Sequence, residues 1–218
     1  MSAPEATPLV LDTAALSVWR CAAGEDMMRP VLSHLAVRNG KVMAANGFLL
    51  GIADLPGATP EAPEGATPAR PDELIHRKLA RFLAGRIRRR SGLLDRIVWM
   101  TDRGLTWLDR GVVMSATNFG IDGTFPDGED IVRKEMAKPE AAVFYTAPDL
   151  TLAAIETVID FLGDSPSQDS PRIRWRVSGP MNAIVLSATR SDKRRLTVAL
   201  MPMTIGIESL ADDTEVAS

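Results

Sequence analysis

Residue types that commonly carry out chemistry are few and scattered in this chain of 218 residues. His34, His76 and the single cysteine, Cys21, form neither a Cys-x-x-Cys nor a His-Glu-x-x-His spacing of the kind that binds zinc. His34 falls in a strand pattern and His76 near a helix start, so both read as structural or exposed residues. Asp102 and Asp109 could serve as a carboxylate pair, yet each precedes Arg-Gly between strand-like runs, where Asp is expected for turn reasons. No Gly-x-Ser-x-Gly elbow or phosphate-binding glycine loop occurs; Ser178 to Met181 (SGPM) precedes a strand pattern and not a helix. The sequence therefore predicts no catalytic residue, no metal and no cofactor, and a protein that works by binding.

The charges say more. A net charge of −3 hides a segregation, with Arg86, Arg88, Arg89 and Arg90 crowded together and an acidic segment, 208–218, that lacks Lys and Arg. A local basic patch attracts phosphate whatever the global charge. On a helix running from Lys78, the residues Lys78, Arg81, Arg88 and Arg89 fall opposite Leu79, Leu83 and Ile87, a side suited to sequence-independent phosphate contacts or to plain solvation. Gly85 could end that helix before Arg88. Arg172, Arg174 and Arg176 alternate with Ile173, Trp175 and Val177, which predicts a strand with one buried face and one basic face that adds to the track for phosphate on the helix. Lys193-Arg194-Arg195 reads as a solvated hairpin tip. A later helix bearing Asp149, Glu156, Asp160 and Asp164 is acidic and would repel a duplex.

The elements that must place these residues follow from pattern. With 45% apolar residues the chain can bury a core, and a lone cysteine leaves no intrachain disulfide to demand an oxidising compartment. The start, MSAPEATP, has no basic and apolar leader, and no apolar run reaches the roughly 20 residues of a membrane span. A cytoplasmic protein without membrane contact is expected. Residues 1–8 and 208–218 read as loose ends, and 56–71, rich in Pro, Ala, Gly and Glu, as a mobile loop.

Between them a theme recurs: a short strand, a helix, then two or three strands. The first unit, 9–55, has a strand at 9–11, Asp12 as helix N-cap, a helix with Leu16 and Trp19 on one side, and strands at 31–37, 41–45 and 48–53 around an Asn39-Gly40 hairpin. The second, 72–126, has a helix with Leu79, Phe82, Leu83 and Ile87 on one face and strands at 97–101, 105–108 and 112–117. The third, within 137–207, opens with a strand at 141–146, has a helix with Leu150, Ala154, Val158 and Phe161 on one face, and strands at 172–177, 183–188 and 196–203. Such units predict an α+β fold of antiparallel sheets with helices on one face.

Four stretches, in order, resemble the bacterial DNA sliding clamp family, the β subunit of DNA polymerase III. RPVLSHLAVRNGKVMAANGFLLG (29–51) is similar to the strand pair and Ala-Thr-Asp-Gly-His-Arg-Leu turn of the family's middle domain, and LIHRKLARFL (74–83) to the opening of that domain's second half. IDGTFPDGEDIVRK (121–134) resembles its closing Gly-x-Phe/Tyr-Pro-Asp signature, with Gly123, Phe125, Pro126 and Asp127 in register. FYTAPDLTLAAIETVIDFLG, VSGPMNAIVL and VALMPMTI resemble the C-terminal half-domain and its Met-Pro-Met ending. The resemblance implies a clamp fold shortened to one domain, 9–136, plus a C-terminal half-domain, 137–207.

It also implies a function: tethering to double-stranded DNA, or polymerase docking, without a chemical step. The alternative it leaves open is a clamp-fold adaptor that binds protein partners and no longer encircles DNA. By position, the family's pocket for the clamp-binding motifs of replication or repair proteins carries over to Gly47, Phe48, Leu49, Leu50, Met201, Pro202 and Met203, where Met suits a groove that repacks around different ligands. The family's His-Arg pair is here Phe48-Leu49, and the Arg after Met-Pro-Met is Thr204, so polar anchors are lost. An odd half-unit leaves an unpaired sheet edge, which implies a homo-oligomer formed through the C-terminal half-unit.

Overall fold

A computed structural model describes residues 9–24, 28–57, 73–87, 97–101, 104–117, 121, 123–138, 148–163, 173–177 and 182–201. Strand β1 (Val10–Asp12) runs straight into helix α1 (Thr13–Leu16), and Asp12 takes the expected capping role, its Oδ1 accepting from the Ala15 amide at 2.8 Å. The coil then tightens into a 3₁₀ segment, Ser17–Cys21, where Ser17 donates its hydroxyl to the Ala14 carbonyl at 2.7 Å. A second 3₁₀ turn, Pro30–Ser33, replaces the first residues of the strand expected from 31; Pro30 fixes its first φ, and Ser33 donates to the Pro30 carbonyl at 2.6 Å. Strand β2 (His34–Arg38) therefore starts later, followed by β3 (Lys41–Ala45) and β4 (Leu49–Asp54). Asn39 and Gly40, at φ 54° and 71°, make the left-handed turn that joins β2 to β3.

Next come β5 (Glu73–His76), α2 (Arg77–Ile87), β6 (Ile97–Thr101), β7 (Gly104–Asp109) and β8 (Val112–Ala116), then α3 (Gly128–Met136), α4 (Pro148–Leu162), β9 (Ile173–Val177), β10 (Ile184–Thr189) and β11 (Arg195–Leu200). Helix α2 corrects one expectation. Ala80, Leu83 and Ile87 form its buried stripe, which leaves Phe82 at the flank and 54% exposed, its ring edge-on to Trp107 at 6.3 Å. Helix α4 buries Ala154, Val158 and Phe161 as its spacing predicts. The strand expected at 141–146 and the hairpin tip at Asp102-Arg103 lie outside the described residues.

Both sheets are antiparallel. One has the order β1-β6-β7-β8, the other β5-β2-β3-β4-β11-β10-β9. Two strands are exchanged: β1 joins the strands that follow α2, and β5 joins the strands that follow α1. Helices α1, α2 and α4 contribute buried side chains to one large core on one side of the seven-stranded sheet, with Leu35, Leu49, Leu186 and Val198 from its strands. Helix α3 lies on the other side, over a second cluster that includes Met43, Leu50, Ile52, Val185 and Ala199. The expected single helical layer thus gains a helix on its opposite face.

Among the described residues the edge strands are β1 and β8 in one sheet and β5 and β9 in the other. On β9, Ile173 and Trp175, expected to be buried, are 41% and 44% exposed; among the described residues this strand pairs with β10 alone. On β8, Val112, Val113 and Met114 are all exposed.

Candidate functional site

The β4–β11 junction brings together pieces of chain that are far apart in sequence. After β3, Asn46 accepts from the amides of Phe48 and Leu49 through its Oδ1, at 2.9 and 2.7 Å, and Gly47 sits at φ 89°, a turn that only glycine makes without strain. Leu49 pairs with Leu200 and Leu50 with Ala199, and the Met201 amide donates to the Phe48 carbonyl at 2.6 Å. Alternation along β4 then divides the expected pocket residues. Leu50 faces the outer cluster, where Met201 is half-buried, whereas Leu49 points to the helix-side core and supports the strand from behind. Phe48 is 53% exposed. Pro202 and Met203 lie outside the described residues.

On the helix face, α2 presents Lys78, Arg81, Phe82, Gly85 and Arg86 along one shallow groove of about 440 Å³. Phe82 and Arg86 were not assigned to this surface from sequence, although their offsets of four and eight residues from Lys78 put them on one helical side. Arg86 also pairs with Asp109. Beside the groove, the Trp19 ring lies against the guanidinium groups of Arg20, Arg77 and Arg81 at 4.8, 5.5 and 5.3 Å. Burial, and then the charge of Arg81, push the Arg77 guanidinium below its ordinary range. Arg88 and Arg89 lie outside the described residues.

The acidic character expected of α4 is partly cancelled. Arg20 donates from Nε and Nη2 to Asp160 Oδ2 at 3.0 and 2.8 Å, and from Nη1 to Glu156 Oε2 at 2.9 Å. The same helix leaves Leu152 and Ile159 exposed. Arg174 and Arg176 do not extend the α2 stripe: Val177 of β9 packs on the helix-side core, so alternation turns the two arginines to the outer face, where Arg176 Nη2 donates to the Lys138 carbonyl at 3.0 Å. Arg172 lies outside the described residues. The expected solvated tip at Lys193-Arg194-Arg195 is corrected at Arg194, which is buried and bridges Asp192 at 2.8 Å and Asp12 at 2.7 Å.

The remaining reactive groups are built into the fold. His34 and His76 are cross-strand partners with rings edge-on at 4.9 Å. His34 shares its Nδ1 with the Pro30 carbonyl at 3.1 Å, and burial pushes its pKa down. Burial pushes the Cys21 thiol up to about 12. Among the described residues, no group of three or more His, Cys, Asp or Glu could hold a metal ion, and no helix is long and apolar enough to cross a membrane.

This architecture, with strands exchanged between half-units and a helical layer on one side, is the sliding-clamp fold. The DNA polymerase sliding clamp of Bacillus subtilis superposes with a TM-score of 0.57 at 12% identity, over 94% of this chain and 66% of its own. A putative DNA polymerase III β subunit from Eubacterium rectale gives 0.58 at 7% identity, over 94% and 67%. The clamp of Bartonella birtlesii, solved bound to griselimycin, gives 0.54 at 14%, over 94% and 69%. The chain thus spans about two-thirds of the length of these clamps. No family model and no curated protein matches the sequence.

Proposed function

We propose that this protein is a clamp-like accessory factor that tethers a partner protein to double-stranded DNA and performs no chemical step. One observation carries the reading: the two candidate surfaces lie on opposite sides of the seven-stranded sheet. The basic groove of α2 belongs to the helix side, and Leu50 and Met201 belong to the outer side, with Phe48 bonded through its carbonyl to the Met201 amide. A body arranged in this way can hold phosphate on one face while an apolar motif docks on the other. Gly47, Phe48 and Met201, with Pro202 and Met203 next along the chain, form the docking site, with the buried Leu50 and Leu49 as its support. Lys78, Arg81 and Arg86 carry the phosphate contacts, with Arg88 and Arg89 next along the chain.

The edge strands that expose large apolar side chains, β8 and β9, supply the self-association surface. Ile173 and Trp175 of β9 are apolar and partly exposed, and an edge strand, as β9 is among the described residues, that exposes such side chains is a template for a second chain. A second reading, an adaptor that does not encircle DNA, is favoured by α4, where Leu152 and Ile159 stand exposed in the helical layer and offer no charge to a phosphate.

Griselimycin, which the B. birtlesii clamp binds, is the probe for docking. Calorimetric titration should show binding to the whole chain that Phe48→Asp removes, with far-ultraviolet dichroism unchanged. Binding that is absent, or indifferent to that substitution, contradicts the docking site.

A further inference from the structure

The middle of the sheet's outer face is continuously apolar: Met43, Leu50, Ile52, Val185 and Ala199 are each no more than 7% exposed. Helix α3 packs on this face beside Phe125 and Val31, and α3 is lightly held. Gly128 is its one fully buried residue, while Ile131, Val132 and Met136 are half-buried on the cluster. By contrast, α2 buries Ala80, Leu83 and Ile87 on the other side of the sheet.

The rest of the attachment is polar and near the surface. Lys41 pairs with Glu129, Glu135 Oε2 accepts from the Ala183 amide at 3.1 Å, and Lys138 Nζ donates to Asn182 Oδ1 at 2.9 Å. The fit at the helix start is close: a Cβ on Gly128 would lie 3.0 Å from Leu50 Cδ1 and 3.3 Å from Ile52 Cδ1. Phe125, 5% exposed, anchors the chain just before it. The half-buried Met201 packs against the same cluster, and its amide donates to the carbonyl of the exposed Phe48.

We propose that α3 is a resident, displaceable ligand of an amphipathic-helix groove over β3, β4, β10 and β11. A partner engages Phe48 and Met201 first and then takes the place of α3. The inference rests on the reading of the β4–β11 junction as a docking site and adds to it the class of partner. That partner is a short amphipathic segment with bulky apolar residues spaced as Ile131, Val132 and Met136 are, carrying a carboxylate that replaces Glu129 opposite Lys41. A surface that is already filled lowers a partner's apparent affinity by the fraction of time it stands open, which sets a threshold for engagement.

The test uses the full chain and a labelled peptide of residues 123–138. In hydrogen exchange, the α3 amides should exchange about tenfold or more faster than those of β4 and β11, because opening of α3 leaves the sheet intact. By fluorescence anisotropy, the peptide should bind the full-chain variant Ile131→Ser/Val132→Ser/Met136→Ser about tenfold more tightly than the wild type, and adding Lys41→Glu should weaken that binding. Exchange of α3 in step with β4 overturns the inference, and it does so in the wild-type chain even where the triple variant does not fold. Equal peptide binding by the two chains overturns it as well. Failure of the docking reading is visible separately, as fast α3 exchange and peptide capture that Phe48→Asp leaves unchanged.

Discussion

Replacement of Gly51 by Ala tests how the helical layer is seated on the sheet. Gly51 lies in β4, and a Cβ there would come within 2.8 Å of Cys21 Sγ and 3.4 Å of both Cys21 Cβ and Val18 Cβ. Cys21 and Val18 are fully buried, so the sulfur has no space to retreat into. Overpacking of this kind costs about 1–3 kcal/mol. Ala in a strand recovers about 0.5–1 kcal/mol relative to Gly. The net loss expected is therefore about 0.5–2 kcal/mol, read from the midpoint of urea unfolding at unchanged m-value.

Cys21 provides a second readout, because a thiol held at about 12 does not react while buried and is labelled when the 3₁₀ segment opens. For global opening the same free energy corresponds to labelling about two- to thirtyfold faster in Gly51→Ala. Cys21→Ala in the Gly51→Ala background should recover part of the urea midpoint, since the clash is with the sulfur. A Gly51→Ala chain as stable as the wild type, with unchanged Cys21 labelling, would refute the close approach of the 3₁₀ segment to β4.

Three further outcomes are expected. Arg20→Met should lower stability by about 1–2 kcal/mol in chemical unfolding, because Asp160 loses two charge-assisted hydrogen bonds in a partly buried setting. Acidification from about pH 7.5 to about pH 5.5 should also lower stability. The folded state holds His34 below 6.5, so its contribution is complete above that value and is lost as pH falls through it; His34→Asn should flatten this part of the urea-midpoint profile. Trp175→Glu on β9 should shift mass measured by light scattering towards the monomer while leaving the dichroism spectrum unchanged.

Much of the fold was legible because its signals are local. Asp12 before an apolar helix, Asn39-Gly40 between strands, and the 154, 158 and 161 stripe of α4 each fix their element without help from the rest of the chain. Pairing was less legible. Nothing local in β1 or β5 says that each joins strands from the other half-unit, or that β9 ends the sheet among the described residues and leaves Trp175 partly exposed.

The candidate site divides in the same way. The junction residues were found by resemblance, but the opposed directions of Leu49 and Leu50 required the sheet. Arg174 and Arg176 look equivalent to Arg81 as charges, yet strand alternation turns them to the other face. Helix α3 was read within a closing signature, and its amphipathic character became meaningful with the apolar face beneath it.

The most direct test of the tethering reading is duplex DNA binding across a salt series, comparing the wild type with Lys78→Ala/Arg81→Ala/Arg86→Ala. Wild-type affinity should fall steeply with salt, and the triple variant should bind more weakly with a slope of log affinity against log salt reduced by about 2–3, close to 0.9 per lost phosphate contact. Absence of duplex binding at low salt, or a slope that the three substitutions leave unchanged, would contradict the role of α2 in holding DNA.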